Sequence, residues 1–243
     1  MLLGFHHLTG LTGDAQEVLQ HYSNVLKMTL VKRTVNFDDP GSYHLYFGDS
    51  HGSPGSLLTF FPGFQRQARR GAGQIVSGPT LNGVTLCEND FEPTARFLER
   101  LGFEAAGGEG NRHRFELPGG AASIDLLHEP QTERGKLGAG AIHHVAFRVS
   151  NEQAQAEWRA RLTEAGIHVS PVKDRLYFQS IYFREPGGVL FEIATDGPGF
   201  LIDEPAESLG SSLCLPPWLE PARASIEARL HHDHRNQLLE LRR

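Results

Sequence analysis

Cysteine is nearly absent from this 243-residue chain, with only Cys87 and Cys214 present. They have no CxxC spacing, which excludes a disulfide framework, a zinc ribbon or a dithiol redox motif; both are expected as buried thiols. Long apolar runs are missing too. None approaches the ~20 residues needed to span a bilayer, so no membrane partner is expected. The opening MLLGF runs straight into strand-like sequence, with no basic leader region or small-residue cleavage site, and the reading is a cytoplasmic protein. Basic charge is also scarce: 23 Lys and Arg against 29 Asp and Glu give a formal net charge of -6, which argues against a nucleic-acid surface. The basic cluster QRQARR, residues 65–70, reads as a solvated loop.

What remains is an ordinary globular composition, 39% hydrophobic, on a chain long enough to bury a substantial core. Histidine is plentiful, at 13 residues, and its placement is informative. HHDH at 231–234 falls in a polar, helix-like tail where neighbouring side chains diverge, so no metal site is expected there. His6-His7 and His143-His144 are different, because each pair opens a strand-like run, FHHLTGLT and IHHVAFRVS.

The chain repeats itself weakly. HLTGLTGDAQEVLQHYSNVLKMTLVK, GVTLCENDFEPTARFLERLGFEAA and HVAFRVSNEQAQAEWRARLTEAGIHVS each read as strand, polar turn, amphipathic helix and strand. Such self-similarity marks a duplicated supersecondary unit. Further strands follow each helix, near 28–37, 42–48 and 56–61 in the first repeat and near 167–171, 176–183 and 188–195 in the third. DDPGS, SHGSPG and REPGG supply the turns. The fold class is therefore α+β, built from βαβββ units that form open half-barrels. Unit one covers 1–64, a looser middle unit 80–128, unit three 140–200, and an extension with a C-terminal helix 201–243.

Local signals support the helices. Val18, Tyr22, Val25 and Leu26 share one face of the first, and Asp14 with Glu17 resembles a capping box. Ala154, Trp158, Leu162 and Ala165 form the stripe of the third, with Glu157 and Arg161 as an i,i+4 pair and Gly166 as the break. Ala222, Ile226 and Leu230 line the C-terminal helix, which should pack on the body or on a partner.

The candidate chemistry rests on three residues. His7 and His144 occupy matched first-strand positions in units one and three, and Glu192 lies inside the apolar last strand GGVLFEIAT of unit three. A lone buried histidine is ordinarily a hydrogen-bonded core residue. An unpaired buried carboxylate, by contrast, costs several kcal/mol, and matched histidines beside it favour a metal centre. Two imidazoles and one carboxylate hold non-haem iron(II) on one face and leave the opposite positions open. The middle unit offers no evident ligand: Asn82 stands near the histidine position and Asp125 near the glutamate position only with an insertion.

VKRTVNFDDPGSYHLYFGD with TFFPG, and DRLYFQSIYFREPGGVLFEIATDGPGF, resemble the vicinal oxygen chelate superfamily of glyoxalases, bleomycin-resistance proteins and extradiol dioxygenases. Within it they are most similar to bacterial dioxygenases that open hydroquinone rings, and LCLPPWLEPARASIEARL resembles the C-terminal helix of that group. The resemblance implies Fe(II), or Mn(II), on His7, His144 and Glu192. It implies a substrate pocket lined by His6, Thr9, His143, Arg175 and Tyr182. His6 or His143 would serve as acid-base group, Tyr182 as hydrogen-bond donor and Arg175 as anchor for an anionic oxygen, or as half of a structural salt bridge. Strand alternation alone turns His6 and His143 away from their neighbours, so their approach to the pocket rests on the resemblance.

One departure is large: the group has four such units and this sequence three, with the gap after GAGQI. A homodimer partner could cover the sheet this exposes. The partners implied are a small aromatic substrate and dioxygen. The enzymatic rival is a glyoxalase-like isomerase or lyase on Zn(II) or Ni(II), but Thr59 stands where unit one would offer the extra carboxylate. The rival from another class is a non-catalytic binding protein for an aromatic ligand or quinone.

Overall fold

The computed structural model describes residues 1–80 and 83–232. It begins with β1 (Phe5–Leu11), α1 (Ala15–Leu19), β2 (Thr29–Asn36), β3 (Asp39–Gly48) and β4 (Leu57–Phe61). Then come β5 (Gln74–Thr80), β6 (Gly83–Glu88), α2 (Phe91–Leu101), β7 (Glu104–Glu109), β8 (Arg112–Glu116) and β9 (Ser123–His128). β10 (Ile142–Val149), α3 (Glu152–Glu164), β11 (Lys173–Asp174), β12 (Phe178–Arg184) and β13 (Leu190–Pro198) follow, and α4 (Arg223–His232) ends the described chain.

The strands form one open sheet that branches at β10, giving an α+β fold. One path runs β2-β3-β4-β1-β10-β13-β12-β11, and a second leaves β10 through β5 to β6-β9-β8-β7. β1 and β10 meet antiparallel at the centre, and each pairs in parallel with the last strand of its own stretch, β4 or β13. This central pair sets the site. Asn82 lies outside the described residues, as does the part of HHDH beyond residue 232.

The main core joins Leu8, Leu86, Leu98, Phe147, Trp158 and Phe191, so α2 and α3 cover one face of the sheet. A second cluster packs Val18 and Leu19 of α1 with Ile226 and Leu230 of α4 over Val35, Leu45 and Phe47. The C-terminal helix therefore packs on the body. Ala222 lies exposed in a 3₁₀ turn just before it.

Helix one departs from the periodic reading. Asp14 caps α1, its Oδ1 accepting from Glu17 N–H at 2.9 Å, but a π-helical turn over Gln20–Val25 follows. The wider turn rotates later residues off the 3.6-residue stripe. Val25 and Leu26 are consequently exposed, while Leu19 is buried. On α3, Trp158 and Leu162 are buried but Ala165 is exposed. Among the described residues, no ion pair joins Glu157 to Arg161. Glu157 accepts from Gln153 instead, and the Arg161 guanidinium lies 4.1 Å from the Trp158 ring centre. The strand expected over 167–171 reduces to a single bridge, Val169 to Phe183, because Pro171 has no N–H to extend the ladder.

The segment after β13 is tied down by Lys32, which is fully buried and reaches Asp203 at 2.6 Å and Glu204. Asp203, Glu204 and Cys214 are close enough to share an ion, but the Lys32 ammonium already donates to all three.

Candidate metal centre

His7 and Thr9 on β1 face Ala146 and His144 on β10, in register about a point between Leu8 and Val145. A local twofold relation follows from that register. It carries His7 onto His144 and Thr9 onto Ala146. Thr9 pairs with Thr59 on β4, and Ala146 with Glu192 on β13. Thr59 and Glu192 are therefore counterparts. Tyr46 lies opposite Thr59 and Tyr182 opposite Glu192, making these tyrosines counterparts as well.

The three candidate ligands converge. His7 Nε2 lies 3.1 Å from His144 Nε2 and 3.4 Å from Glu192 Oε2, and His144 Nε2 lies 3.0 Å from that oxygen. All three residues are buried, Glu192 completely. Ligand bonds of about 2.1 Å at right angles would place neighbouring donor atoms about 3.0 Å apart, so the spacing suits three ligands on one face of an ion. Glu192 Oε2 has no hydrogen-bond partner, a costly condition that a cation relieves. Burial pushes the Glu192 carboxyl up, but His7 and His144 pull it well below the usual carboxylate range, keeping it ionised.

His6 and His143 reach their neighbours after all, contrary to simple alternation. The β1–β10 ladder slips by one residue between Phe5 and His7, and again between His144 and Ile142. Each slip is a β-bulge, which re-aims the extra side chain. His6 Nδ1 thereby sits 2.9 Å from His7 Nδ1, and His143 Nδ1 sits 2.8 Å from His144 Nδ1. Such bonds fix ring orientation and leave Nε2 for a metal. Burial, with help from the adjacent imidazoles, lowers both His6 and His143 to about 3.

The open side of the centre faces a cavity of about 630 Å³, lined from both arms of the sheet. His7, His143, His144, Arg175, Phe178 and Tyr182 contribute to its wall; His6 and Thr9 stand behind it. Arg175 Nε donates to Tyr182 OH at 3.1 Å, and Nη2 to Asp38 at 2.8 Å. The acid partnering Arg175 is thus Asp38. Arg175 is held by a tight turn: Tyr177 N–H bonds back to Arg175 C=O at 2.7 Å across Leu176, whose φ is +64°. Positive φ at a branched residue is strained, and such strain concentrates at functional sites. Burial, then the charge of Glu192, raises the Tyr182 phenol and keeps it protonated as a donor.

Two supporting residues escaped the sequence reading. Ser180 donates to the second oxygen of Glu192 at 2.5 Å. On the other wall, His44 Nε2 lies 2.9 Å from Thr59 Oγ1 and His44 Nδ1 2.9 Å from Tyr46 OH. Thr59 in turn lies 2.7 Å from Thr9 Oγ1, which is 2.9 Å from His144 Nε2. A serine or histidine inside a strand carries no periodic signal; only the register reveals them. Asp125, considered for the middle stretch, is taken by Arg112 and Arg114 at 2.9 and 2.8 Å.

An open α+β sheet with two histidines and a glutamate gathered at its central strands defines a candidate divalent-metal protein of the glyoxalase type. The chain belongs to the Glyoxalase/Bleomycin resistance protein/Dioxygenase superfamily, whose family model matches residues 80–193. It is 35% identical over 298 aligned positions to "Putative ring-cleaving dioxygenase MhqO" of Bacillus subtilis, covering 94% of this chain and 96% of that protein. It is 32% identical over 305 positions to the chlorohydroquinone/hydroquinone 1,2-dioxygenase of Sphingobium indicum, covering 92% and 94%. A crystal structure of a Bacillus subtilis protein described as a putative dioxygenase superposes with a TM-score of 0.89 at 34% identity, over 100% of this chain and 98% of that one. These relatives support a ring-cleaving dioxygenase and imply a divalent metal. An alignment of 298 positions against a 243-residue chain leaves at least 55 positions of the first relative without a counterpart here.

Proposed function

We propose that this chain is an iron(II)-dependent ring-cleaving dioxygenase of the extradiol type, acting on hydroquinone or a related dihydroxylated aromatic. The observation that carries the reading is the convergence of His7, His144 and Glu192, with a buried glutamate oxygen that has no other partner. These residues would hold the ion, iron(II) first and manganese(II) as the alternative. When bound, it would bring dioxygen and an aromatic hydroxyl together and let charge pass from the ring to dioxygen.

The remaining residues serve the organic substrate. Arg175, balanced by Asp38, and Tyr182 present donors to its oxygens from one wall. Phe178 and Phe61 supply apolar surface to the ring, and the cavity suits a small aromatic molecule. His6 and His143 orient the two imidazole ligands, and His143 also reaches the cavity wall. Thr9, placed among possible substrate contacts by resemblance, lies 2.9 Å from His144 Nε2, the nitrogen that would hold the ion. The isomerase alternative calls for a second carboxylate, and the counterpart position holds Thr59.

The division into units at 1–64, 80–128 and 140–200 is part of the proposal, and the strand–helix–three-strand order of each stretch supports it. So is a homodimer: β7, at the end of its branch, is exposed along its whole length and would be covered by a second copy. No helix among the described residues is long and apolar enough to cross a membrane.

Oxygen uptake tests the function. Protein loaded with ferrous iron under reducing conditions should consume oxygen when hydroquinone is added. A folded, fully loaded sample inert toward a panel of hydroquinones and catechols would overturn the proposal. Inert protein that still binds such compounds would favour the non-catalytic binder.

A further inference from the structure

A smaller cavity, of about 250 Å³, shares His143 and Leu190 with the substrate cavity and otherwise has walls of its own. One part of it is polar. Arg184 crosses Gly188, donating from Nη1 to its carbonyl at 2.6 Å. Arg134 reaches the same glycine from another loop, and a Cβ on Gly188 would collide with its Nη2. Gln74 presses against Gly135, where there is likewise no room for a Cβ. Gln74 is only 8% exposed, and its Nε2 is buried with no acceptor. Two guanidinium groups and an unused amide donor thus line one hollow. The rest of the wall is apolar, with Ile75, Leu137, Ile142 and Val189.

Nearby acids leave these arginines unneutralised. Among the described residues neither Arg134 nor Arg184 has an ion-pair partner, and Glu133, beside Arg134 in the chain, is taken by Arg69 at 2.6 Å. Both oxygens of Glu185 are engaged, by Thr94 and by the N–H groups of Gly187 and Val189. Glu88 keeps its proton at neutral pH, because burial and then the charge of Glu185 push it up to about 8. Two positive charges against the one on Glu185 leave the hollow a single positive charge.

We propose that this cavity is a binding site for a small monocarboxylate with an apolar body, its carboxylate held by Arg134, Arg184 and the Gln74 amide. A guanidinium fork matches the two oxygens of a carboxylate, and the anion would give the buried Gln74 N–H the acceptor it lacks. The apolar wall takes hydrocarbon and disfavours a second charged end, which sets this ligand apart from inorganic phosphate. An occupant would lie against His143, whose Nδ1 is 2.8 Å from His144 Nδ1. The site therefore adjoins the candidate metal centre without using its open side.

Butyrate is the probe, added to the full chain with and without ferrous iron, and binding is followed through backbone amide NMR shifts. The shifts should centre on Gly73, Gly135 and Gly188, with a Kd of about 1 mM or tighter in both forms. Arg134→Gln and Arg184→Gln, both at exposed side chains, should each weaken binding about tenfold. Gln74→Leu should weaken it about fivefold or more. 1-Butanol should not bind, and inorganic phosphate should bind at least about tenfold more weakly than butyrate. The proposal is overturned by an absence of saturable binding below about 20 mM, by shifts centred on Phe178 and Tyr182, or by affinity that requires iron. It is equally overturned if phosphate binds more tightly than butyrate, or if any of the three variants folds and binds as tightly as the native chain. Should Gln74→Leu fail to fold, the two arginine variants decide. None of these readouts involves oxygen uptake, so the proposed function and this site stand or fall separately.

Discussion

At the scale of single residues, the arrangement resolves how neighbouring histidines on a strand can serve one centre. Alternation would send His6 and His7 to opposite faces, yet a bulge at each pair brings the imidazoles into contact. Ser180 plays a similar supporting part for Glu192. Ser180→Ala should leave the fold intact and weaken ferrous binding about 10- to 100-fold, as removal of groups that orient a ligand does elsewhere. A chelator competition series measures it; affinity within threefold of native would mean the 2.5 Å contact does not matter. The three candidate ligands could be singled out in the sequence, because a glutamate among Phe191 and Ile193 has no inexpensive structural role and the two histidines repeat in position; the structure brings them together. Ser180 and His44 were not legible, since nothing in their neighbours distinguishes them. The bulges leave no mark in a single sequence.

At the scale of elements, hydrophobic periodicity located the helices but misjudged one face. Val25 and Leu26 fit the helical stripe in sequence, but the π-helical turn over Gln20–Val25 carries them into solvent. Leu19, which the stripe omitted, is buried between the sheet and α4. Leu19→Ala should therefore cost about 2–5 kcal/mol, while Leu26→Ala should stay within about 0.5 kcal/mol. Urea denaturation of the two variants separates them, and equal losses would restore the regular helix. The strand misplaced at 167–171 has a comparable cause: its apolar residues satisfied the pattern, but Pro171 removes a donor where pairing would continue. Turn positions were more dependable. SHGSPG and REPGG both separate the strands expected on either side.

At the scale of the molecule, the branch carrying α2 rests against the last stretch through two buried carboxyl groups. Glu88 at the end of β6 lies over Gly187, where a Cβ would come within 1.9 Å of Oε2. Glu185 beside it is held by Thr94 and by the N–H groups of Gly187 and Val189. Burial, then the charge of Glu185, pushes Glu88 up to about 8. The folded state therefore holds a proton that the unfolded chain releases near pH 4.5. This contribution to stability is complete below that pH and is lost as pH rises towards 8. Melting curves should show a decline across that interval, and Glu88→Gln should flatten it; an identical decline in the variant would exclude this pair as the cause.

The whole account depends on His7, His144 and Glu192 gripping one ferrous ion at which dioxygen is spent on an aromatic ring. Mass analysis of the product formed from hydroquinone under ¹⁸O₂, trapped before exchange with water, tests this most directly. The prediction is a ring-opened product carrying both labelled atoms, formed by the native protein and not by folded Glu192→Ala, which should also fail to retain iron. An intact ring, an unlabelled product, or equal turnover and iron content in Glu192→Ala would contradict it.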